Sequence, residues 1–199
     1  MSKQDDTSSD RNWMLLLDSD WSPPPEADDR SRAVPPVESI VGGWLVNDEG
    51  TVEAFEPNPL YLPVGEDAPT GPVDAAAKLV VAGRAEPSIV VLAIRDSLVE
   101  VAVDDEERVI VAPAPDGVPC VWVTTGAADQ LRVSAPGWLR VSSAELVELL
   151  PEDVDVLLNP GGSASMRLFA NVLREAVVGA NEPGESWAGA ELSTDPGPR

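Results

Sequence analysis

The segment Cys120–Thr125 places the strongest constraint on how this chain can fold. Its sequence, CVWVTT, is apolar on both of the faces that alternating side chains would form in a β-strand. It follows Asp116-Gly117, a pair of residues typical of a tight turn. A strand without a polar face has to be covered from two sides, so we expect it at the centre of a sheet rather than at an edge.

The flanking sequence predicts further strands and helices. The runs Gly43–Asn47 and Thr51–Phe55, separated by a turn that ends in Gly50, predict a hairpin. Pro72 in a first helical turn, with Asp74 four residues before Lys78, predicts a helix over Val73–Val81. The other predicted elements are a helix over Ile89–Arg95, a strand opening at Ser97, a helix over Ser143–Leu150 that starts with the capping box Ser142–Glu145, and a strand over Val154–Leu158.

The stretch from Asp153 to Leu173 predicts a strand, a glycine turn and a final amphipathic helix. The apolar positions of that helix are Met166, Phe169, Val172, Leu173, Ala176 and Val177, and Arg167, Asn171 and Arg174 form a basic stripe on another face. The turn Asn159-Pro160-Gly161-Gly162 could bind an anion at the helix N-terminus, or could simply connect strand and helix with Ser163 or Ser165 as N-cap. Because no Walker lysine and no dinucleotide glycine pattern is present, the structural role is favoured.

These patterns predict an α+β fold, a single domain with a mixed β-sheet flanked by helices. We expect the domain to span 37–179, with a hairpin and extended segment at 37–63 and a core at 73–178. Residues 1–36 are predicted to be a flexible segment with a proline-rich linker, and 180–199 a disordered tail. The apolar run that begins at Trp13 should dock on the domain itself or on a partner. The candidate partner-binding residues are Trp13, Leu16, Trp21, Arg167, Asn171 and Arg174.

Composition excludes several classes of chemistry. The chain has no histidine and one cysteine, Cys120, so histidine-dependent catalysis, imidazole zinc sites and intrachain disulfides are excluded. We therefore predict no catalytic residue, no metal site and no cofactor. The net charge is −22, of which −14 lies in residues 39–180, and such a surface repels nucleic acid and anionic membranes. No signal-peptide core and no long apolar run is present, so we expect no membrane insertion and a cytoplasmic location.

The second half of the chain resembles the N-terminal domain of the SseB family. The resemblance rests on Val154–Leu173, with its strand, NPG turn (Asn159, Pro160, Gly161) and helix, and on the preceding segment Asp116–Thr125. It covers about 73–178. Three further segments, Trp13–Asp18, Val41–Trp44 and Phe55–Pro63, extend it to the actinobacterial proteins called type VII secretion system-associated proteins.

This resemblance implies an α+β domain that acts as a cytoplasmic accessory of the ESX-type export machinery. It implies no catalytic residue, and the second domain of longer SseB proteins is absent from this sequence. The leading hypothesis is therefore a non-enzyme that binds another protein of the secretion pathway. The alternative is a regulatory module that senses a small molecule or an anion at the strand-to-helix turn Gly161–Ser165.

Overall fold

The computed structural model describes residues 12–23, 34–65 and 67–181, which form two β-sheets, five α-helices and one short 3-10 helix, Val37–Ser39. The predicted α+β fold with a mixed sheet is confirmed. Residues 1–11, 24–33, 66 and 182–199 lie outside the described residues, and most of the predicted proline-rich linker and C-terminal tail falls in these ranges. No helix in the described ranges has the length and apolar character needed to cross a membrane.

The smaller sheet is antiparallel, with the strand order β1-β2-β3. Its strands are β1 (Asn12–Leu17), β2 (Ile40–Val46) and β3 (Val52–Pro57). The predicted hairpin is confirmed as β2 and β3, and Gly50 in its turn has a φ of 80°, a left-handed conformation that glycine adopts without strain. β1 pairs with β2 along its whole length, from Asn12 opposite Val46 to Leu17 opposite Ile40.

The pairing of β1 corrects the prediction that residues 1–36 form a flexible segment. Asn12–Leu17 is a strand of the folded domain, and the ladder continues where the Asp18 amide donates to the Ser39 carbonyl at 2.8 Å. The predicted start of the domain at residue 37 is therefore wrong, because Asn12–Leu17 also belongs to the fold. This segment is held in the fold because the Leu16 side chain is fully buried in the domain core.

The larger sheet has six strands in the order β7-β4-β6-β8-β9, with β5 also paired to β6. The strands are β4 (Val99–Val103), β5 (Val111–Pro113), β6 (Pro119–Thr124), β7 (Gly137–Val141), β8 (Asp155–Leu158) and β9 (Met166–Leu168). Only β6 and β8 are parallel. The predicted central strand is confirmed as β6, in which Cys120, Val121, Val123 and Thr124 are fully buried.

The helices are α1 (Pro72–Val81), α2 (Ser88–Arg95), α3 (Ala127–Gln130), α4 (Ser143–Leu149) and α5 (Ala170–Asn181). The predicted helices at the positions of α1, α2 and α4 are confirmed. α1 carries the expected ion pair, with Lys78 Nζ 3.0 Å from the Asp74 carboxylate. α4 begins with the predicted capping box, in which Ser142 and Glu145 satisfy each other's backbone amides.

The main core lies between one face of the large sheet and four of the helices. Val101, Val123 and Leu158 contribute to it from the sheet, and α1, α2, α4 and α5 cover them. On the opposite face, Cys120 and Leu157 form a second, smaller cluster with Ala114 and Val118 of the turn between β5 and β6. The central strand is thus covered from both sides, as its sequence requires.

The end of the chain departs from the sequence prediction. Met166–Leu168 is not helical but forms β9, an antiparallel partner of β8, and α5 begins only at Ala170. The prediction of one helix from residue 166 onward is therefore wrong. Arg167 lies on β9 while Asn171 and Arg174 lie on α5, so the three side chains do not form a single stripe on one helix.

Asp96, in the turn after α2, joins the small sheet to the main core. Its Oδ2 accepts hydrogen bonds from Trp44 Nε1 at 2.9 Å and from the Phe55 amide at 3.1 Å. The Arg95 guanidinium donates to both carboxylate oxygens and also reaches the carbonyl of Glu53. Trp44 itself is fully buried, and its ring packs edge-on against Phe55 with centroids 4.9 Å apart.

Candidate functional site

The ends of the parallel strands β6 and β8 carry a group of polar side chains that are bonded to one another. Asn159, which is 1% exposed, accepts from the Thr125 amide at 3.0 Å and donates to Thr125 Oγ1 at 2.9 Å. Ligands of open α/β sheets bind beside strand ends of this kind. Here, however, the hydrogen bonds of the Asn159 side chain are made to Thr125, and they connect the end of β8 to the end of β6.

Two carboxylates lie beside this end of the sheet. Thr125 Oγ1 donates to Asp129 at 3.3 Å, and the Thr70 amide donates to Asp74 at 3.0 Å. Burial, with a smaller contribution from the negative charge of Asp74, raises the pKa of the Asp129 carboxyl. A cleft of about 270 Å³ opens nearby, but neither carboxylate lines it, and Arg140 is its one charged lining residue. The carboxylates are therefore not presented to a bound substrate.

The raised pKa of Asp129 predicts a pH-dependent stability. The folded state binds the Asp129 proton more tightly than the unfolded chain does. The free energy of unfolding therefore falls as pH rises above the unfolded pKa of this carboxyl, about 3.8. We expect Asp129→Asn, which keeps an oxygen acceptor for Thr125, to raise the thermal midpoint at pH 7. The gain should shrink towards pH 4. Thermal melts across this range test the prediction, with exposed Asp105→Asn as control. An equal gain at both pH values would contradict it.

The turn at Asn159–Ser165 does not have the geometry of an anion site. It leads into β9 and not into a helix, so neither Ser163 nor Ser165 is an N-cap, and this corrects the predicted strand-to-helix connection. The amides of Gly162 and Ser165 already donate to the Asn159 and Gly162 carbonyls, at 2.9 and 3.2 Å. Asn159 and Gly161 both have positive φ, which makes the turn tight and leaves Pro160 buried.

Cys120 is the one thiol in the sequence and is fully buried on β6. Burial, followed by the nearby charge of Asp155, raises the pKa of the Cys120 thiol. A thiol in this environment is a poor nucleophile, because the reactive form is the thiolate. The described residues contain no group of three or more cysteine, aspartate or glutamate side chains placed to hold a metal ion.

The exposed apolar residues of the small sheet form a different kind of site. Trp13 and Leu15 on β1 are 42% and 43% exposed, and they lie on the sheet face that points away from the core. Both side chains lean over Gly43 of β2: a Cβ there would lie 3.3 Å from the Trp13 ring and 3.4 Å from the Leu15 side chain. We call the surface formed by Trp13 and Leu15, which cover the buried Gly43, the β1 patch.

The three predicted partner-binding residues of the N-terminal region lie in different environments. Trp13 belongs to the β1 patch. The prediction of Leu16 as a partner contact is wrong, because its side chain points to the opposite face of β1 and is fully buried in the core. Trp21 is half-buried, and its carbonyl accepts a 2.8 Å hydrogen bond from Arg84, so this segment docks on its own domain.

The predicted basic residues near the end of the chain are largely engaged within it. Arg167 pairs with Asp155 at 2.7 Å and with Asp116 at 3.0 Å, and its guanidinium stacks on Phe169. Arg174 donates to the carbonyls of Leu150 and Pro151. Asn171 is exposed on α5. Arg167 and Arg174 are therefore held by contacts within the chain, and Asn171 is the exposed member of the three.

Sequence reasoning missed Leu15 as part of the candidate site. The available signal was the composition of Asn12–Leu17, a strand-length run without charge or proline. No protein-family model, no curated protein and no solved structure matches this chain. The resemblance to the SseB family therefore stays a prediction.

Proposed function

We propose that this chain is a non-catalytic accessory protein of type VII (ESX-type) secretion, located in the cytoplasm, that works by binding another protein. The observation that carries the binding role is the β1 patch, where Trp13 and Leu15 are exposed on a strand at the edge of a sheet. Large aromatic and aliphatic side chains at a strand edge favour docking of another chain. The assignment to secretion rests on the sequence resemblance.

The chemistry of the described residues supports a non-catalytic role. The buried thiol of Cys120 has a raised pKa, and no histidine exists in the chain to activate it. The carboxylates of Asp74 and Asp129 accept hydrogen bonds from Thr70 and Thr125, respectively, and neither lines the cleft beside them. The alternative of an anion sensor at Gly161–Ser165 loses its physical basis, because the turn offers no helix N-terminus.

Co-purification from an actinobacterial host tests this proposal. We expect the full chain, expressed at native level, to retain a component of the secretion machinery. The double variant Trp13→Ala with Leu15→Ala should lose most of it, because the β1 patch is truncated while the buried face of β1 is untouched. The matched control is Val111→Ala with Leu131→Ala, since these residues are also exposed and apolar but lie on other elements. Recovery of no secretion component by the native chain would refute the proposal.

A further inference from the structure

The N-terminal segment Asn12–Trp21, which we call the strap, is attached to the domain by few buried contacts. Its strand β1 pairs with β2 alone among the described strands. Two of its side chains are buried, Leu16 and Asp18, and Leu16 is the apolar one. The central strand β6, by contrast, has four fully buried side chains in six residues. Segments with few buried apolar contacts open locally at a free energy below that of global unfolding.

The end of the strap is held by two side chains, Arg84 and Tyr61, which we call the latch. Arg84 follows α1 and donates to the carbonyls of Ser19 and Trp21, at 2.6 and 2.8 Å. Tyr61 follows β3, and its hydroxyl donates to the Asp18 carboxylate at 2.7 Å. The three acceptors lie within four consecutive residues, so the latch fixes one end of the strap as a unit. Because Arg84 is exposed, water replaces its hydrogen bonds when the strap leaves, and their net loss is modest.

The neighbouring hairpin of β2 and β3 is held by different contacts. Trp44 Nε1 and the Phe55 amide donate to Asp96, and the Arg95 guanidinium reaches the Glu53 carbonyl. None of these hydrogen bonds involves a residue of the strap. β2 also keeps its pairing with β3 when β1 is removed. The hairpin and the strap therefore have separate anchors on the main core.

The geometry points to the strap as a detachable element, which leaves the domain as one unit when the latch opens, while the hairpin and the large sheet stay folded. In the closed state β1 covers the edge of β2 and presents the β1 patch. In the open state the patch is lost, and the edge of β2 and the pocket vacated by Leu16 are exposed. A partner that binds one state alone shifts the equilibrium towards that state. The opening needs no partner, so it does not depend on the proposed function.

Native-state hydrogen exchange of the full chain tests the inference. The amides of β1 that bond to β2 are compared with those in the centre of β6. We expect the β1 amides to exchange at least about tenfold faster, at rates that hardly change in low denaturant, because a local opening exposes little surface. The β6 amides should exchange faster with each addition of denaturant, as global unfolding requires. Equal rates with equal denaturant dependence in the two strands would overturn the inference.

Variants of the latch locate the point of release. Arg84→Ala should accelerate exchange of the β1 amides about tenfold, the effect expected for loss of hydrogen bonds to a charged group. Arg84→Lys keeps the charge but not the planar fork that reaches two carbonyls, so its effect should be intermediate. Arg108→Ala is the matched control. Arg108 is also exposed and hydrogen-bonded, to Asp104 and Glu106, and its loss should leave the β1 rates within about twofold.

Val156→Ala separates opening of the strap from global unfolding. Val156 is fully buried on β8, so its truncation destabilises the core without touching the strap. The β6 amides should exchange at least about tenfold faster in this variant, while the β1 amides stay within about twofold of the native rates. Equal acceleration of both strands would show that the strap unfolds only with the domain. An effect of Arg84→Ala no larger than that of Arg108→Ala would refute the latch. Thermal melts establish that each variant is folded.

Discussion

Replacement of Asp96 by alanine should lower the free energy of unfolding by about 3 to 5 kcal/mol, because it removes one partner from a largely buried ion pair. Arg95 and Asp96 are 15% and 12% exposed at their side chains, and the carboxylate also accepts from Trp44 Nε1 and from the Phe55 amide. Without it, a guanidinium loses its counter-charge and two donors near the core lose their acceptor. Chemical denaturation followed by circular dichroism measures the loss.

Asp116→Ala provides the control for this prediction. Asp116 also pairs with an arginine, Arg167, but its side chain is 49% exposed. Exposed ion pairs contribute about 0 to 1 kcal/mol, so this variant should be close to the native chain. A loss below about 1 kcal/mol for Asp96→Ala would show that Asp96 does not anchor the small sheet.

Gly42→Ala should destabilise the fold by about 1 to 3 kcal/mol, the range seen when atoms are added to a packed core. A Cβ at this position would meet the Glu56 carbonyl oxygen and the Phe55 ring at separations shorter than any real contact. The Phe55 ring cannot move away freely because it packs against Trp44. Thermal or chemical unfolding of the purified variant measures the effect.

Gly71→Ala separates crowding from the general cost of replacing glycine. Gly71 has an extended backbone with a φ of 174°, which any residue can adopt, and nothing lies within 4 Å of a Cβ there. Gly71 is also the N-cap of α1, where glycine is preferred to alanine, so its substitution should cost about 0.5 to 1 kcal/mol, less than Gly42→Ala. If both variants unfold at the same denaturant concentration, the close approach of β3 to Gly42 is not a constraint on the sheet.

Elements with short-range signals were predictable from the sequence. The hairpin was encoded by Gly50 between two strand-like runs, and α4 by the reciprocal capping of Ser142 and Glu145. The central position of β6 followed from its two apolar faces. In each case the physical determinant lies within about ten residues of chain, so a single sequence contains it.

The start of α5 was not predictable in the same way. Met166 and Leu168 fit a strand period of two, while Met166 and Phe169 fit a helical period, so the segment satisfies both patterns. Pairing with β8 decides between them, because Leu158 lies opposite Met166 and Val156 opposite Leu168. That contact depends on the tertiary fold, which local periodicity does not report.

The candidate site depends even more on distant contacts. β1 was predicted as an apolar run, within a flexible segment, that docks on the domain or on a partner, but not as a strand; Asn12 pairs with Val46, and the patch exists because Gly43 lies beneath Trp13 and Leu15. Asp96 likewise bonds to Trp44, which is 52 positions away in the sequence. Composition could indicate that Asn12–Leu17 is apolar, but not which of its faces would be enclosed.

The dependence of the small sheet on Asp96 has a consequence for the chain during its synthesis. A ribosome adds about 5 to 20 residues per second, so roughly 4 to 17 s separate the synthesis of Trp13 from that of Asp96. Until then β2 lacks the acceptor for Trp44, and α1 and α2, which help to enclose Leu16, are incomplete. β1 is thus synthesised first among the described strands but packs into the fold late. During that interval its apolar residues, which no charge or proline protects, are exposed to aggregation with other chains.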